Sequence, residues 1–218
     1  SFCDRVTVLR DGRNVAALAT GDTDKAALAE LMVGREVLFR VEKEDTEIGE
    51  VVLSVEEVCA LNDKGFPALQ DVSLQVASGE VLGIAGVSGN GQRELAETVT
   101  GLRGTTGGRV FVRGRELTDQ TPLRFIRAGV SHIPGDRLGM GLAGNLPVSD
   151  NLIMKAFRQA PLAAGPFLSK PAVSIFADRL IKAFDVLTPS RSTPARNLSG
   201  GNQQKAILAR EISTGGEH

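Results

Sequence analysis

Hydrophobic and polar residues alternate in two short stretches near the start of the chain, which predicts a β-hairpin over residues 5–18. The stretches are separated by Asp11 and Gly12, a dipeptide that favours the tight turn of a hairpin. Behind them, Asp24 is a residue type that caps helix starts, and apolar residues follow at helical spacing. Gly34 then stands where a left-handed stop is easiest. The first forty residues therefore predict a hairpin followed by a short helix.

Strand and helix patterns alternate from residue 51 onward. Strands are predicted at 51–58, 72–76, 81–85, 109–112 and 130–133, and helices at 95–102, 150–157 and 174–187. Residues 81–85 are continuously apolar, which is typical of a strand buried on both faces of a mainly parallel sheet. This alternation indicates an α/β fold.

A run of charged residues at 42–47 separates these two parts of the chain. Such a run is typical of a solvated linker, so a domain boundary is predicted there. Because the sequence opens at Ser1 within a strand pattern, we expect it to be part of a longer chain.

The composition narrows the possible classes of protein. The chain has 218 residues, 42% of them hydrophobic, which is enough for a buried core. Lys and Arg total 25 against 26 Asp and Glu, so no basic excess indicates a dedicated nucleic-acid binder. The two cysteines, Cys3 and Cys59, lack metal-ligand spacing and predict neither a disulfide nor a metal site, which fits a reducing cytosolic compartment. No apolar run is long enough to span a membrane, so a membrane role is expected only through a partner.

A glycine-rich loop follows the apolar run at 81–85. It comprises Gly86, Val87, Ser88, Gly89, Asn90, Gly91, Gln92 and Arg93. The spacing is that of a phosphate-binding P-loop, GxxxxGK[ST], but Gln92 takes the lysine position and Arg93 the hydroxyl position. Backbone N–H groups at the following helix could still hold phosphate, although the lost lysine contact is worth about 1.5–3 kcal/mol. Arg93 could supply part of the missing charge but cannot ligate magnesium. An ordinary strand-to-helix turn is the alternative.

A second motif lies near the end of the sequence and opens a predicted helix. It comprises Leu198, Ser199, Gly200, Gly201, Asn202, Gln203, Gln204 and Lys205. A serine hydroxyl and unpaired N–H groups at the positive end of a helix dipole favour an anion. The alternative is a capped helix start without a ligand.

The second motif, together with a P-loop upstream of it, resembles the signature motif of ABC transporter ATPases. This resemblance implies an α/β P-loop NTPase of the ABC type, with a mostly parallel core sheet, an antiparallel β portion and a helical subdomain, here truncated. More narrowly, the chain resembles the second nucleotide-binding domain of importer ATPases that carry two such domains and serve sugars or nucleosides. The glycine loop and the Ile133-Pro134 and Asp136-Arg137 pairs resemble the nucleoside-uptake branch.

The resemblance divides the chain into three parts. Residues 1–40 correspond to the tail of the first nucleotide-binding domain, 41–49 to a linker, and 50–218 to an incomplete second domain. Gly135 departs from the family, which usually has a glutamate there. The acidic strand and switch histidine that the family places after the signature are expected outside this sequence, so no catalytic residue or metal ligand is assigned and the sequence alone is predicted to be inactive. Neither His132 nor His218 is given the histidine role.

The implied cofactors are ATP and Mg²⁺, bound at a composite site that the signature completes with the other nucleotide-binding domain. The implied partners are transmembrane permease subunits and, indirectly, an extracytoplasmic solute-binding protein, but no nucleic acid. The implied location is peripheral, at the cytoplasmic face of the plasma membrane. A soluble ABC ATPase of DNA repair and a non-hydrolysing nucleotide sensor are the alternatives, while a small P-loop kinase would leave the signature unexplained.

Overall fold

The computed structural model describes residues 3–10, 12–34 and 47–215. The chain divides into two compact units between Glu47 and Ile48. Residues 35–46, which include most of the predicted linker, lie outside the described residues, as do Asp11 and residues 216–218.

The first unit contains a hairpin and a helix. Strands β1 (Arg5–Arg10) and β2 (Arg13–Ala19) pair antiparallel. Helix α1 (Lys25–Val33) begins where the Asp24 carboxylate accepts a hydrogen bond from the backbone N–H of Ala27 at 2.8 Å. It ends at Gly34, whose φ of +79° is a left-handed conformation that a residue without Cβ adopts readily. The predicted hairpin and capped helix are both confirmed.

In its described residues, the second unit combines an antiparallel sheet with five α-helices. Its strands are β3 (Val51–Leu61), β4 (Pro67–Ala77), β5 (Gly107–Val112) and β6 (Arg115–Glu116), in the order β4-β3-β5-β6. The helices are α2 (Gln92–Thr98), α3 (Pro122–Arg127), α4 (Val148–Ile153), α5 (Lys170–Ala183) and α6 (Gly200–Gly215). A short hairpin, β7 (Ala163–Ala164) and β8 (Phe167–Leu168), precedes α5. In the ranges that the structure covers, no helix has the length and apolar character that crossing a membrane requires.

Two of the three hydrophobic clusters described in the second unit contain most of its buried apolar side chains. The first, the sheet core, packs one face of β3 and β5 against α3, with Val55, Val110 and Phe125 almost completely buried. The second, the helical core, packs α4, α5 and α6 together around Leu152, Leu180 and other apolar side chains. Burial of this apolar area is the main source of stability for each cluster.

Two of the predicted strands do not form. Residues 81–85 and 130–133 run without strand pairing in the described structure, and all strand pairs there are antiparallel. Val81 is 82% exposed, so the expectation of a strand buried on both faces is wrong for this structure. A parallel strand requires a partner brought alongside by a crossover. The apolar strand that the family resemblance places after α6 is not among the described residues.

A buried asparagine organises the loop that leads into α4. The Asn151 side chain, on a residue that is 1% exposed, accepts a hydrogen bond from the Ala143 N–H at 2.8 Å. Its Nδ2 lies within hydrogen-bonding distance of three carbonyl oxygens, of Ala143, Leu146 and Pro147, at 3.0 to 3.3 Å. The side chain therefore pairs with the Ala143 N–H and adds a donor for carbonyls that also accept from backbone N–H groups.

We predict that Asn151→Ala lowers the free energy of unfolding by about 1–3 kcal/mol, because the half-buried Ala143 N–H loses its acceptor, whereas the three carbonyls each keep a backbone N–H donor. Asn145→Ala is the matched control, since Asn145 lies exposed on the same loop and its side chain pairs, among the described residues, with Arg196 alone. Urea unfolding followed by circular dichroism measures both variants. Equal losses would show that Asn151 has no special role in this loop.

Candidate functional site

The glycine loop adopts the tight turn that its sequence predicts. Gly89 and Gly91 both have φ of +94°, and the Asn90 N–H donates to the Val87 carbonyl at 3.1 Å. Gly91 is buried against β4, where a Cβ would lie 2.6 Å from the carbonyl oxygen of Ala68. The close approach of the loop to β4 therefore requires glycine at this position.

Gln92 begins α2 and folds back over the loop. Its side-chain amide lies directly over Gly86, leaving no space there for a Cβ. The residue at the lysine position thus covers the loop with a neutral amide. No side-chain charge at position 92 is available to a phosphate.

Arg93, at the hydroxyl position, belongs to an ion cluster formed by Asp63, Arg93, Glu97 and Arg103. Its Nε lies 2.7 Å from Glu97 and its Nη1 lies 3.1 Å from Asp63. Arg103 pairs with both carboxylates, at 2.6 Å each. Two arginines and two carboxylates balance in charge. The positive charge of Arg93 is therefore compensated within the cluster and does not act on the glycine loop alone.

The ion cluster also shifts the pKa values of Asp63 and Arg93, each in the direction that favours its charged form. The hydrogen bond from Arg103 holds the pKa of Asp63 below its usual value. The hydrogen bond to Glu97 raises the pKa of Arg93. The Glu97 side chain is only 6% exposed, so its negative charge depends on the two arginines for compensation.

We predict that Arg103→Ala destabilises the protein by roughly 2–4 kcal/mol, because it removes the better buried partner of Glu97. Arg93→Ala is the matched control and should leave the unfolding free energy nearly unchanged, since the Arg93 side chain is 59% exposed, against 14% for Arg103. Denaturant unfolding of both variants measures the difference. A larger loss for Arg93→Ala would contradict this reading of the cluster.

The signature residues lie at the start of α6, and Ser199 and Gly201 are exposed there. The Ser199 hydroxyl accepts a hydrogen bond from the Asn202 side-chain amide at 2.9 Å, which leaves its own hydrogen to be donated. No acceptor among the described residues pairs with the backbone N–H groups of Gly200 and Gly201, as expected in the first turn of a helix. This turn therefore presents three donors and no negative charge.

Three other signature residues, Asn202, Gln203 and Lys205, stabilise the start of α6 through hydrogen bonds. The buried side chain of Gln203 donates to the Leu198 carbonyl at 3.1 Å. Asn202 accepts from the backbone N–H of Leu187 at 2.9 Å, and Lys205 pairs with Asp185 at 2.8 Å. These side chains hold the start of α6 against the segment that follows α5.

A third region, residues 130–141, lies between the two motifs in the sequence. Within the described residues, no hydrogen bond or ion pair joins the glycine loop directly to the signature. Residues 132–136 line a cleft of about 560 Å³ together with Arg93 and Glu97. Further along, Arg137 donates to the carbonyl oxygen of Gly200 at 3.3 Å.

His132 is half-buried in this region, beside the buried carboxylate of Glu211. Its backbone N–H donates to Glu211 at 3.1 Å, and Glu211 also pairs with Lys155. Burial lowers the pKa of the His132 imidazole, and nearby Lys155 lowers it further, against the opposing effect of Glu211. The folded protein therefore favours neutral His132.

A depressed histidine pKa predicts that stability falls as the pH drops below about 6.5, because the unfolded chain then binds more protons. His132→Gln removes this group and should flatten the dependence of the unfolding free energy on pH between about 7 and 5.5. Denaturant titrations at several pH values measure both slopes. An unchanged slope in the variant would show that His132 does not titrate differently in the two states.

The sequence predicted both motifs but missed the residues that set their surroundings. Glu97 lies four residues after Arg93, so helical spacing could have suggested that pair. Asp63, Arg103 and the Arg137 contact are distant in sequence and left no local signal. Among the residues that the structure describes, no group of acidic, cysteine or histidine side chains could hold a metal ion.

Comparison with known proteins identifies similar sequences. Residues 69–217 match the family model described as ABC transporter. The chain is 51% identical over 212 residues to the glucose import ATP-binding protein TsgD13 of Haloferax volcanii, covering 96% of this chain and 38% of that protein. It is 44% identical to the guanosine import ATP-binding protein NupO of Bacillus subtilis, covering 97% of this chain and 41% of that protein. The chain thus spans about two fifths of the length of these relatives.

Solved structures show the same fold at lower sequence identity. A dimeric bacterial ABC transporter cassette superposes with a TM-score of 0.61 and 20% identity, over 74% of this chain and 69% of that one. A nucleotide-free ATP-binding cassette from an ABC transporter gives a TM-score of 0.60 and 22% identity, over 75% and 65% of the two chains. At these identities the likeness concerns the fold, and it confirms the predicted fold class although the parallel strands are absent from the described residues.

Proposed function

Because the chain belongs to the ABC transporter family, we propose that it is part of the ATP-binding subunit of an importer. This subunit would couple ATP binding and hydrolysis to the uptake of a nucleoside or a sugar. The observation that carries the proposal is the exposed signature turn at the start of α6, combined with a glycine loop that lacks an available cation. We further propose that residues 1–40 end a first nucleotide-binding domain, that 41–49 are a linker and that 50–218 belong to a second domain.

The signature turn is suited to contact a phosphate. Ser199 can donate its hydroxyl hydrogen, and the N–H groups of Gly200 and Gly201 point from the positive end of a sixteen-residue helix. We propose that this turn completes the competent ATP site, whose P-loop belongs to the other nucleotide-binding domain. Leu198, Asn202 and Gln203 support the turn by packing and by hydrogen bonds.

The glycine loop is proposed to bind nucleotide without efficient turnover. Its residues 86–91 retain backbone N–H groups, but the Gln92 amide covers the loop and Arg93 is engaged by Asp63 and Glu97. Mg²⁺ requires oxygen ligands, and the hydroxyl that usually supplies one is replaced by this guanidinium. The loop therefore does not fit the metal, and we derive no hydrolytic step there.

The proposed partners follow from the importer role. Closure of two nucleotide-binding domains on ATP would drive transmembrane permease subunits, with an extracytoplasmic solute-binding protein acting indirectly. The helical segment from α4 to α5 is the proposed permease contact, and the proposed location is the cytoplasmic face of the membrane. The glycine-loop sequence at residues 89–92 supports a nucleoside as solute, and the relative named for guanosine import is consistent with this.

The proposal predicts unequal effects of substitutions at the two motifs in the full-length protein with its permease. Ser199→Ala or Gly201→Ala should lower the ATP hydrolysis rate about tenfold or more, since each disturbs a proposed phosphate contact; tenfold corresponds to about 1.4 kcal/mol. A Cβ at Gly201 meets no atom within 4 Å, so that variant should fold normally. Gln92→Ala should change the rate by less than about threefold, because the neutral amide contributes no charge.

Steady-state phosphate release measures these rates, and thermal unfolding of each variant controls for loss of structure. Equal losses at the two motifs would overturn the asymmetric arrangement. A non-hydrolysing nucleotide sensor is the remaining alternative. It would bind ATP with no hydrolysis in any variant, including the unsubstituted protein.

A further inference from the structure

The segment 136–141 packs against the helix that carries the signature. Asp136 opens a π-helical turn (Arg137–Gly141) and accepts a hydrogen bond from the Gly139 N–H at 2.8 Å. At the end of the turn, a Cβ on Gly141 would lie 2.6 Å from the Ile207 side chain on α6. The turn therefore rests directly on α6, and its position is tied to that of the helix.

Arg137 extends from this turn to the first residue of α6. Its Nη1 donates to the Gly200 carbonyl at 3.3 Å, and a Cβ on Gly200 would lie 3.2 Å from the same nitrogen. The guanidinium thus lies against both the Cα and the carbonyl of Gly200. Within the described residues, this is the one hydrogen bond that Arg137 makes, and no carboxylate pairs with it.

Helix stability does not explain the placement of this arginine. The N-terminus of a helix carries partial positive charge, so a cation beside Gly200 opposes the dipole of α6. The packing of Gly141 on Ile207 already attaches the turn to the helix. What the guanidinium adds is a contact with the backbone of the signature turn itself.

We propose that Arg137 is a positioning residue for the signature, and this rests on the proposed role of the signature in ATP hydrolysis. Its hydrogen bond to the Gly200 carbonyl orients the peptide unit that presents the N–H group of Gly201. The neighbouring residues Gly135 and Asp136 line the cleft that contains Arg93 and Glu97. Arg137 therefore links the signature to the segment that lies beside the glycine loop.

The test uses the full-length protein with its permease and compares Arg137→Ala with Arg196→Ala. Arg196 is a matched control because it is an exposed arginine three residues before Ser199 and pairs with Asn145 at 2.7 Å. Arg137→Ala should lower kcat for ATP about tenfold while changing KM less than about twofold, because the P-loop that holds ATP is in the other domain. Arg137→Lys should recover part of kcat, and Arg196→Ala should match the unsubstituted protein.

Two further measurements separate positioning from a loss of structure. Hydrogen exchange followed by mass spectrometry should show faster exchange in Arg137→Ala for peptides covering residues 199–203, with unchanged exchange in α4 and α5. Since Arg137 acts through Gly200, its effect on kcat should be less than additive with that of Gly200→Ala. Full additivity, or exchange that rises throughout the helical core, would overturn the positioning role.

The outcomes also distinguish this inference from the proposed function. If Gly201→Ala lowers hydrolysis and Arg137→Ala does not, the signature assignment stands and the role of Arg137 is wrong. If neither variant changes hydrolysis, the proposed function fails and the inference fails with it. If Arg137→Ala raises KM and leaves kcat unchanged, Arg137 affects ATP binding and not the orientation of the signature.

Discussion

The second unit depends on a buried carboxylate near the end of α6. The Glu211 side chain is 1% exposed and accepts hydrogen bonds from the His132 backbone, from Lys155 and from Arg210. Ser131 donates to the Glu211 carbonyl at 2.9 Å. Leaving such a charge without partners would cost several kcal/mol, so α6, the segment after α4 and residues 131–132 are held in one arrangement. Helix α6 carries the signature at its other end, and the chain continues from residues 131–132 to Arg137.

Both motifs present backbone N–H groups at the start of a helix, but the side chains around these groups differ. Each places glycines before or at a helix start, where N–H groups lack intrahelical acceptors. At α2, the Gln92 amide covers the loop and the charge of Arg93 is balanced by Asp63 and Glu97. At α6, Ser199 keeps a hydrogen to donate, and no acidic group is part of the turn. This contrast supports assigning different roles to the two motifs.

Sequence patterns predicted the elements whose formation depends on nearby residues. Asp24 and Gly34 delimit α1 as predicted, and the alternation over 51–58 and 72–76 predicted β3 and β4, although both strands extend further. The helix after the glycine loop is shorter than predicted and ends at Thr98. The pattern at 81–85 predicted a buried strand that the described residues do not form, because a strand needs partners that its own sequence does not specify.

By itself, the sequence determined where the two turns form, through the glycines and the serine of the two motifs. These motifs also determined the family to which the chain belongs. Only the tertiary structure decided how each turn is surrounded. Arg93 is paired because packing brings Asp63 and Arg103 beside α2, and Arg137 reaches Gly200 because its turn rests on α6. Backbone conformation at a turn depends on residues a few positions away, whereas ion pairs and distant hydrogen bonds depend on which elements pack together.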